Sequence, residues 1–192
     1  MCKRKWIVGI LASTTCWLGS AQASEYGCTV LMCLANPNGP KAAPYCVPFI
    51  DRLYDDLREG RPFPSCDDAN KNNQGGTFAQ QVNDPYDPCP EPLQPAAKNS
   101  HVLQGAPLPG KPGIGSTRYT VADHPQISEP NNSVNQSGQR ACISKLIGSY
   151  HEGNRDDGYT VSIFDKVVWQ KEQSPRAIDV FMNKKFHRRI HW

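Results

Sequence analysis

Gln139-Arg-Ala-Cys-Ile-Ser-Lys-Leu-Ile-Gly-Ser-Tyr-His-Glu152 precedes Tyr159-Thr-Val-Ser-Ile-Phe164, Asp165-Lys166 and Val167-Val-Trp-Gln170. The period of this stretch sets the balance of helix and strand in the C-terminal third. Ile143, Leu146, Ile147 and Tyr150 fall at i, i+3, i+4 and i+7, the spacing of one helical face. A short amphipathic helix carrying Cys142 is therefore expected, ending near Gly153. Beyond it, β-branched and aromatic runs at 159–164 and 167–170 flank Asp165-Lys166, and runs at 177–182 and 185–191 flank Asn183-Lys184. That pattern predicts two hairpins and a sheet of about four antiparallel strands covered by helices. The expected fold class is α+β: a disulfide-stapled N-terminal helical hairpin, a long irregular Pro/Gly-rich insert, and a C-terminal short helix with a small antiparallel β-hairpin sheet. The corresponding divisions are 1–23, 24–68, 69–139 and 140–192.

The first 23 residues have the order of a targeting signal. Lys3, Arg4 and Lys5 form a positive start, residues 6–18 an apolar run, and Ala21-Gln22-Ala23 a small-x-small site. Together they describe a secretory signal peptide cleaved after Ala23, so an exported protein is expected. A retained membrane anchor fits less well, because Gly9, Ser13, Thr14, Thr15 and Gly19 interrupt the uncharged run. A lipoprotein signal at Cys16 lacks the leucine-type residue that its site needs. Cleavage removes three cations and no acid from a 192-residue chain of formal charge +3, so the exported chain is formally neutral. The pI of 8.4 of the full sequence therefore reflects the three cations of that segment.

Composition excludes further classes. With 38% hydrophobic and 20% charged residues, and a mean hydropathy of -0.58, the chain is neither a multi-span membrane protein nor wholly disordered. Formal neutrality argues against sequence-independent nucleic-acid binding, which needs a clustered excess of Lys and Arg. One local surplus exists: Lys171, Arg176, Lys184, Lys185, Arg188 and Arg189 stand against Glu172 and Asp179. Its ordinary explanation is a solvated strand face; docking to an acidic partner or a membrane surface is the alternative.

Cys2 and Cys16 leave with the signal, and Cys28, Cys33, Cys46, Cys66, Cys89 and Cys142 remain. An even number in an exported chain implies three disulfides, and no CxxC knuckle points to zinc instead. Cys28, Leu31, Met32 and Ala35 share a helical face that Asn36-Pro37-Asn38-Gly39-Pro40 terminates. A second helix opens near Pro48 and carries Ile50, Leu53, Tyr54 and Leu57 until Gly60. Five residues apart on a regular helix, Cys28 and Cys33 would have Cα atoms about 8 to 9 Å apart, beyond disulfide reach. Folding the helices antiparallel brings Cys33 toward Cys46 and Cys28 toward Cys66, leaving Cys89 for Cys142.

Between residues 67 and 139, ten prolines and seven glycines remove any sustained period, and the segment is expected to be irregular. Gly105-Ala-Pro-Leu-Pro-Gly-Lys-Pro112 superficially matches a phosphate loop. Pro112 stands where a magnesium-binding hydroxyl is needed, and the prolines remove amide donors. Asn131-Asn-Ser133 and Asn135-Gln-Ser137 are formal glycosylation sequons. His187 and His191 are spaced for one face, so a surface metal site is conceivable, but no carboxylate or cysteine joins them at matching spacing. Adjacent Asp55 and Asp56 point about 100° apart on a helix and do not share a substrate atom. No local hydrolase, metalloprotease or reactive-cysteine motif occurs. No catalytic residue, metal or cofactor is assigned.

Glu25-Tyr-Gly-Cys28-Thr-Val-Leu-Met-Cys33-Leu-Ala-Asn-Pro37, then Cys46-Val-Pro48 and Arg61-Pro-Phe-Pro-Ser-Cys66, resembles the TrbM/KikA-like family of conjugal transfer proteins. The resemblance covers the block 25–66, with a signal peptide ahead of it. It implies an exported, cysteine-rich periplasmic accessory or structural component of a conjugative type IV secretion system, acting in mating-pair formation and DNA transfer. Its partners would be proteins of that machinery, with no direct nucleic-acid binding and no small-molecule cofactor. The same resemblance makes Leu31, Leu34, Ile50, Leu53 and Leu57 a core, with Tyr26, Tyr45 and Tyr54 as contact residues. The competing classes are an exported enzyme, acting on the cell wall or on thiols and disulfides, and a secreted binding or inhibitor protein.

Overall fold

The structure, a computed structural model, describes residues 20–66, 76–109, 118–121, 123–130, 138–154 and 156–192. Over these residues the chain is mostly β, with eleven strands in three sheets and two α-helices. This corrects the α+β expectation: a helical hairpin is not seen as the organising N-terminal unit, the insert contributes strands, and the expected third helix is β. Residues 1–19 of the segment 1–23 read as a signal peptide, the Gly110–Pro112 end of the phosphate-loop look-alike and both sequons lie outside the described residues.

Two compact units emerge, one of the described residues up to Phe78 with Met182–Lys185, the other Ala79–Phe181 with Phe186–Trp192. In the first, α1 (Ser20–Leu34) and α2 (Val47–Arg58) are separated by turns and a 3-10 turn (Pro44–Cys46). The amide of Asn38 donates to Asn36 Oδ1 at 3.0 Å, and Gly39 takes φ 117°, so this run ends the helix by turn chemistry. Val30, Leu31, Cys33 and Leu34 of α1 and Ile50, Leu53 and Leu57 of α2 are buried. Disulfides join Cys33 to Cys46 and Cys28 to Cys66. Gly27 admits the returning segment: a Cβ there would stand 1.9 Å from the Ser65 carbonyl oxygen.

The second unit contains the sheets, apart from Phe78 and the turn residues Met182–Lys185 at the end of one of them. β1 (Phe78–Asn83), β10 (Arg176–Met182) and β11 (Lys185–His191) form one in the order β1-β10-β11. β2 (Gln94–Pro95), β6 (Gln139–Ile143) and β9 (Val167–Lys171) form another. The third contains β3 (Ser100–Pro107), β4 (Tyr119–Val121), β5 (Gln126–Ser128), β7 (Leu146–Glu152) and β8 (Tyr159–Phe164). Here β4 and β5 pair with different parts of β3, β3 runs parallel to β8, and β7 is antiparallel to β8. Asn183 and Lys184 have φ of 51° and 62°, the left-handed pair of a tight two-residue turn between β10 and β11.

Residues 139–152 and 159–171 form one long antiparallel pairing folded over a corner. β6 pairs with β9 up to Ile143↔Val167, and β7 pairs with β8 from Leu146↔Phe164. At Ser144-Lys145 and Asp165-Lys166 both chains pass from one sheet to another. The corner is tied by Ser144 N–H to the Lys166 carbonyl (3.1 Å), Asp165 N–H to the Lys145 carbonyl (3.2 Å), and the Ser144 hydroxyl with the Asp165 carboxylate. Thus 159–164 and 167–170 do not pair with each other, contrary to the hairpin expected there. The apparent helical period of Ile143, Leu146, Ile147 and Tyr150 spans this corner. Ile143 packs on Ala96, Val102, Ala141 and Phe164, whereas Ile147 and Tyr150 pack on Leu103, Val161 and Ile163.

The insert becomes ordered through partners distant in sequence. Val102 and Leu103 of β3 are buried once that strand is flanked by β8, and Cys89 is bonded to Cys142 on β6. Prolines are accommodated at margins: Pro95 lies in a two-residue outer strand and Pro107 ends β3. Closing the 53-residue interval between Cys89 and Cys142 removes about 4 kcal/mol of unfolded-chain entropy in the chain-entropy picture. The paired substitutions Cys89→Ser and Cys142→Ser are expected to lower unfolding free energy by about 2 to 5 kcal/mol, read by urea titration under non-reducing conditions.

Candidate functional site

Arg189 projects from β11 with its side chain only 8% exposed. Its Nε and Nη2 donate to the two carboxylate oxygens of Asp179 on β10, at 2.7 and 2.9 Å. Its Nη1 donates to Asp84 Oδ2 at 2.8 Å and to the Tyr86 carbonyl at 2.5 Å. Arg140, from β6, places Nη1 and Nη2 on the same Asp84 carboxylate, at 3.1 and 3.0 Å, and Nε on Glu129 Oε1 at 2.6 Å. Lys98 completes the set 3.3 Å from Glu129, so three cations face three carboxylates. The Arg140 guanidinium also lies 4.6 Å from the centre of the Tyr86 ring.

Burial alone would raise the Asp84 carboxyl, but hydrogen bonds from Arg189 and Arg140 outweigh it and hold the group below its ordinary value. Hydrogen bonding to Asp179, and then to Asp84, pushes Arg189 above the ordinary arginine value despite burial. Burial and the charges of Glu172 and Glu129 push the Tyr86 phenol up. Each charge is answered by a bonded opposite charge. This arrangement is suited to clamping strands rather than to exchanging protons with a substrate.

A different cluster lies on the five-stranded sheet. His101 of β3 stacks on Tyr159 of β8, with ring centroids 3.9 Å apart and planes inclined by 21°. Tyr159 is paired across strands with Glu152, and Tyr150 with Val161. The Tyr150 hydroxyl donates to Glu152 Oε2 at 3.4 Å. Partial desolvation, followed by the Glu152 charge and hydrogen bond, raises both Tyr150 and Tyr159. Tyr150, Tyr159 and Tyr119 pack over buried Leu103, Val161 and Ile163, while remaining themselves half-buried. Gly148 makes room for Tyr119: a Cβ at 148 would stand 1.8 Å from its hydroxyl oxygen.

The residues singled out in the sequence have varied settings. Ala23 falls in the early turns of α1, where side chains are not described. All six cysteines from Cys28 onward are in disulfides. His191 Nδ1 lies 2.6 Å from the Ser174 carbonyl and Nε2 3.2 Å from Asp87, while His187 is exposed. Among the described residues no group of three His, Cys, Asp or Glu is placed to hold a metal ion. Asp55 pairs with Arg58, whereas buried Asp56 is bonded by Arg61 and by the Tyr26 hydroxyl at 3.2 Å. Burial and the Asp56 charge push the Tyr26 phenol to about 12. Tyr54 lies under Lys41, and Tyr45 is exposed. Of the basic C-terminal residues, Arg189 is internal and Arg176 lies over the Trp192 ring at 5.5 Å. In the helical unit an open apolar groove of about 710 Å³ is lined by residues including Leu31, Met32, Ala35, Pro37 and the Cys28–Cys66 bridge.

No local spacing joins Asp84 to Arg140 or to Arg189, whereas Asp179 and Arg189 lie ten residues apart on β10 and β11 and are brought together by the turn at Asn183-Lys184. The aromatic cluster has only a faint signal, the alternation of Tyr159 with Val161 and Ile163 and of Tyr150 with Glu152. No protein-family model matches the chain, and no curated protein or solved structure matches it either.

Two stability measurements test the clamp. Arg189→Leu leaves Asp179 buried without its partner and is expected to cost about 3 to 5 kcal/mol in denaturant unfolding. For Asp84, whose folded-state value is depressed, the stabilising contribution is full above the ordinary carboxylate value and disappears as pH falls through the folded-state value. Asp84→Asn should therefore lower the melting temperature at pH 7, and the gap from wild type should narrow as pH falls below about 4.

Proposed function

We propose that this protein is an exported accessory component of a conjugative type IV secretion apparatus, contributing through shape and docking in mating-pair formation. The observation that carries this is the block 25–66: its four cysteines are bonded in two pairs, so the segment resembling TrbM/KikA-like proteins is a covalently closed module. Three disulfides are compatible with an oxidising compartment, and among the described residues no helix is long and apolar enough to cross a membrane. Met32, 66% exposed beside the bridge, gives the module an apolar surface for a protein partner.

Donor cells deleted for this gene and complemented with different forms test the proposal. Transfer frequency of the encoding element should fall sharply on deletion and be restored by the full-length form but not by one lacking residues 1–23. Met32→Asp should accumulate with unchanged melting temperature, because the side chain is exposed, yet restore transfer poorly. Unchanged transfer after deletion would overturn the proposal.

A further inference from the structure

The five-stranded sheet has an unusual charge distribution. None of β3, β4, β5, β7 and β8 contains Lys or Arg, and Glu152 is their only acid. Arg118, Lys145 and Lys166 stand where β4 and β7 begin and β8 has ended, the Phe164 end of the sheet. His101, Tyr159 and Glu152 occupy the opposite end, about 16 Å away along five residues of strand. Asp156 and Asp157 follow Glu152, and Lys98, just before β3 at this end, is paired with Glu129. The aromatic end is therefore neutral to acidic. A phosphate backbone or an anionic membrane needs the reverse.

We propose that His101, Tyr150, Tyr159 and Glu152 form a binding platform for an uncharged polysaccharide strand. The row crosses three adjacent strands, β3, β8 and β7, a width of about 10 Å. Pyranose rings with equatorial hydroxyls present flat C–H faces, and C–H groups are attracted to the negative face of an aromatic ring. His101 and Tyr159 turn one ring face to each other, and both rings and Tyr150 are half-buried, which leaves part of each ring at the surface of the sheet. Among the described residues no hydrogen bond engages the His101 ring nitrogens. A neutral imidazole offers one donor and one acceptor, matching a sugar hydroxyl, which is both. Glu152 accepts from the Tyr150 hydroxyl and retains acceptor capacity for further hydroxyls. A cationic peptide would find the carboxylate with its ammonium groups and the imidazole donor with its backbone carbonyls, and is therefore the competing ligand in the test below.

This proposal is independent of the conjugation assignment, and its test needs no transfer assay. Saturation-transfer NMR on the full exported chain, with hexamers of β-1,4-linked N-acetylglucosamine and of β-1,4-linked glucose, should show transfer to sugar C–H protons for at least one. Tyr159→Ala should weaken binding by about tenfold. Glu152→Gln should weaken it severalfold, and Tyr159→Phe should retain most of it because the stack survives. His101→Ala, whose ring is half-buried at the surface, provides a second truncation if Tyr159→Ala lowers the melting temperature. Absence of transfer to both hexamers would overturn the proposal. So would binding unchanged by both truncations, or tighter binding of single-stranded oligothymidine or oligolysine.

Discussion

Asp84 is the constraint around which the β unit is arranged. One carboxylate just after β1 receives two guanidinium groups, Arg140 from β6 and Arg189 from β11, and those strands belong to different sheets. Each arginine has a second acid, Glu129 for one and Asp179 for the other, so shifting either strand relative to Asp84 would break several charge-assisted bonds together. Desolvating these groups is costly, and the attraction between them offsets that cost only when every donor and acceptor is placed.

The folded-over pairing of 139–152 with 159–171 gives this clamp a frame. Because β6–β7 and β8–β9 turn the same corner, side chains on the two sides of the bend serve different apolar clusters. Ala141 and Ile143 meet Val102 and Phe164, with Trp169 at the margin. Farther along, Leu103, Val161 and Ile163 lie beneath the tyrosines, which pack as core with one part of the ring and leave the rest to solvent. An interaction surface arises from the same residues that close the sheet's interior.

Charge placement separates the surfaces. Arg189 is consumed internally, Arg176 is set against Trp192, and in the helical unit Arg52 and Arg61 converge on Asp56. The C-terminal basic surplus is therefore only partly a surface property. The formal neutrality of residues 24–192 is compatible with recognition through apolar and aromatic surfaces, such as the groove beside Cys28–Cys66 and the His101–Tyr159 row.

Local chemistry was legible where a few neighbouring residues suffice. The even cysteine count, the helix stop at Asn36-Pro37-Asn38-Gly39, the apolar face of Ile50, Leu53 and Leu57, and the turn at Asn183-Lys184 all depend on neighbours in the chain. The β class was not legible. Val102 and Leu103 acquire their meaning from β8, some sixty residues later, and the false helical period at 143–150 comes from a corner that only β8–β9 pairing creates. The same holds for the clamp, since Asp84, Arg140 and Arg189 have no shared spacing. The sequence alone determined how short segments turn, which faces are apolar and how many sulfurs can pair. Tertiary structure decided sheet membership, strand register and the partners of each charge, because burial and long-range backbone pairing select among local conformations that the chain by itself leaves close in energy.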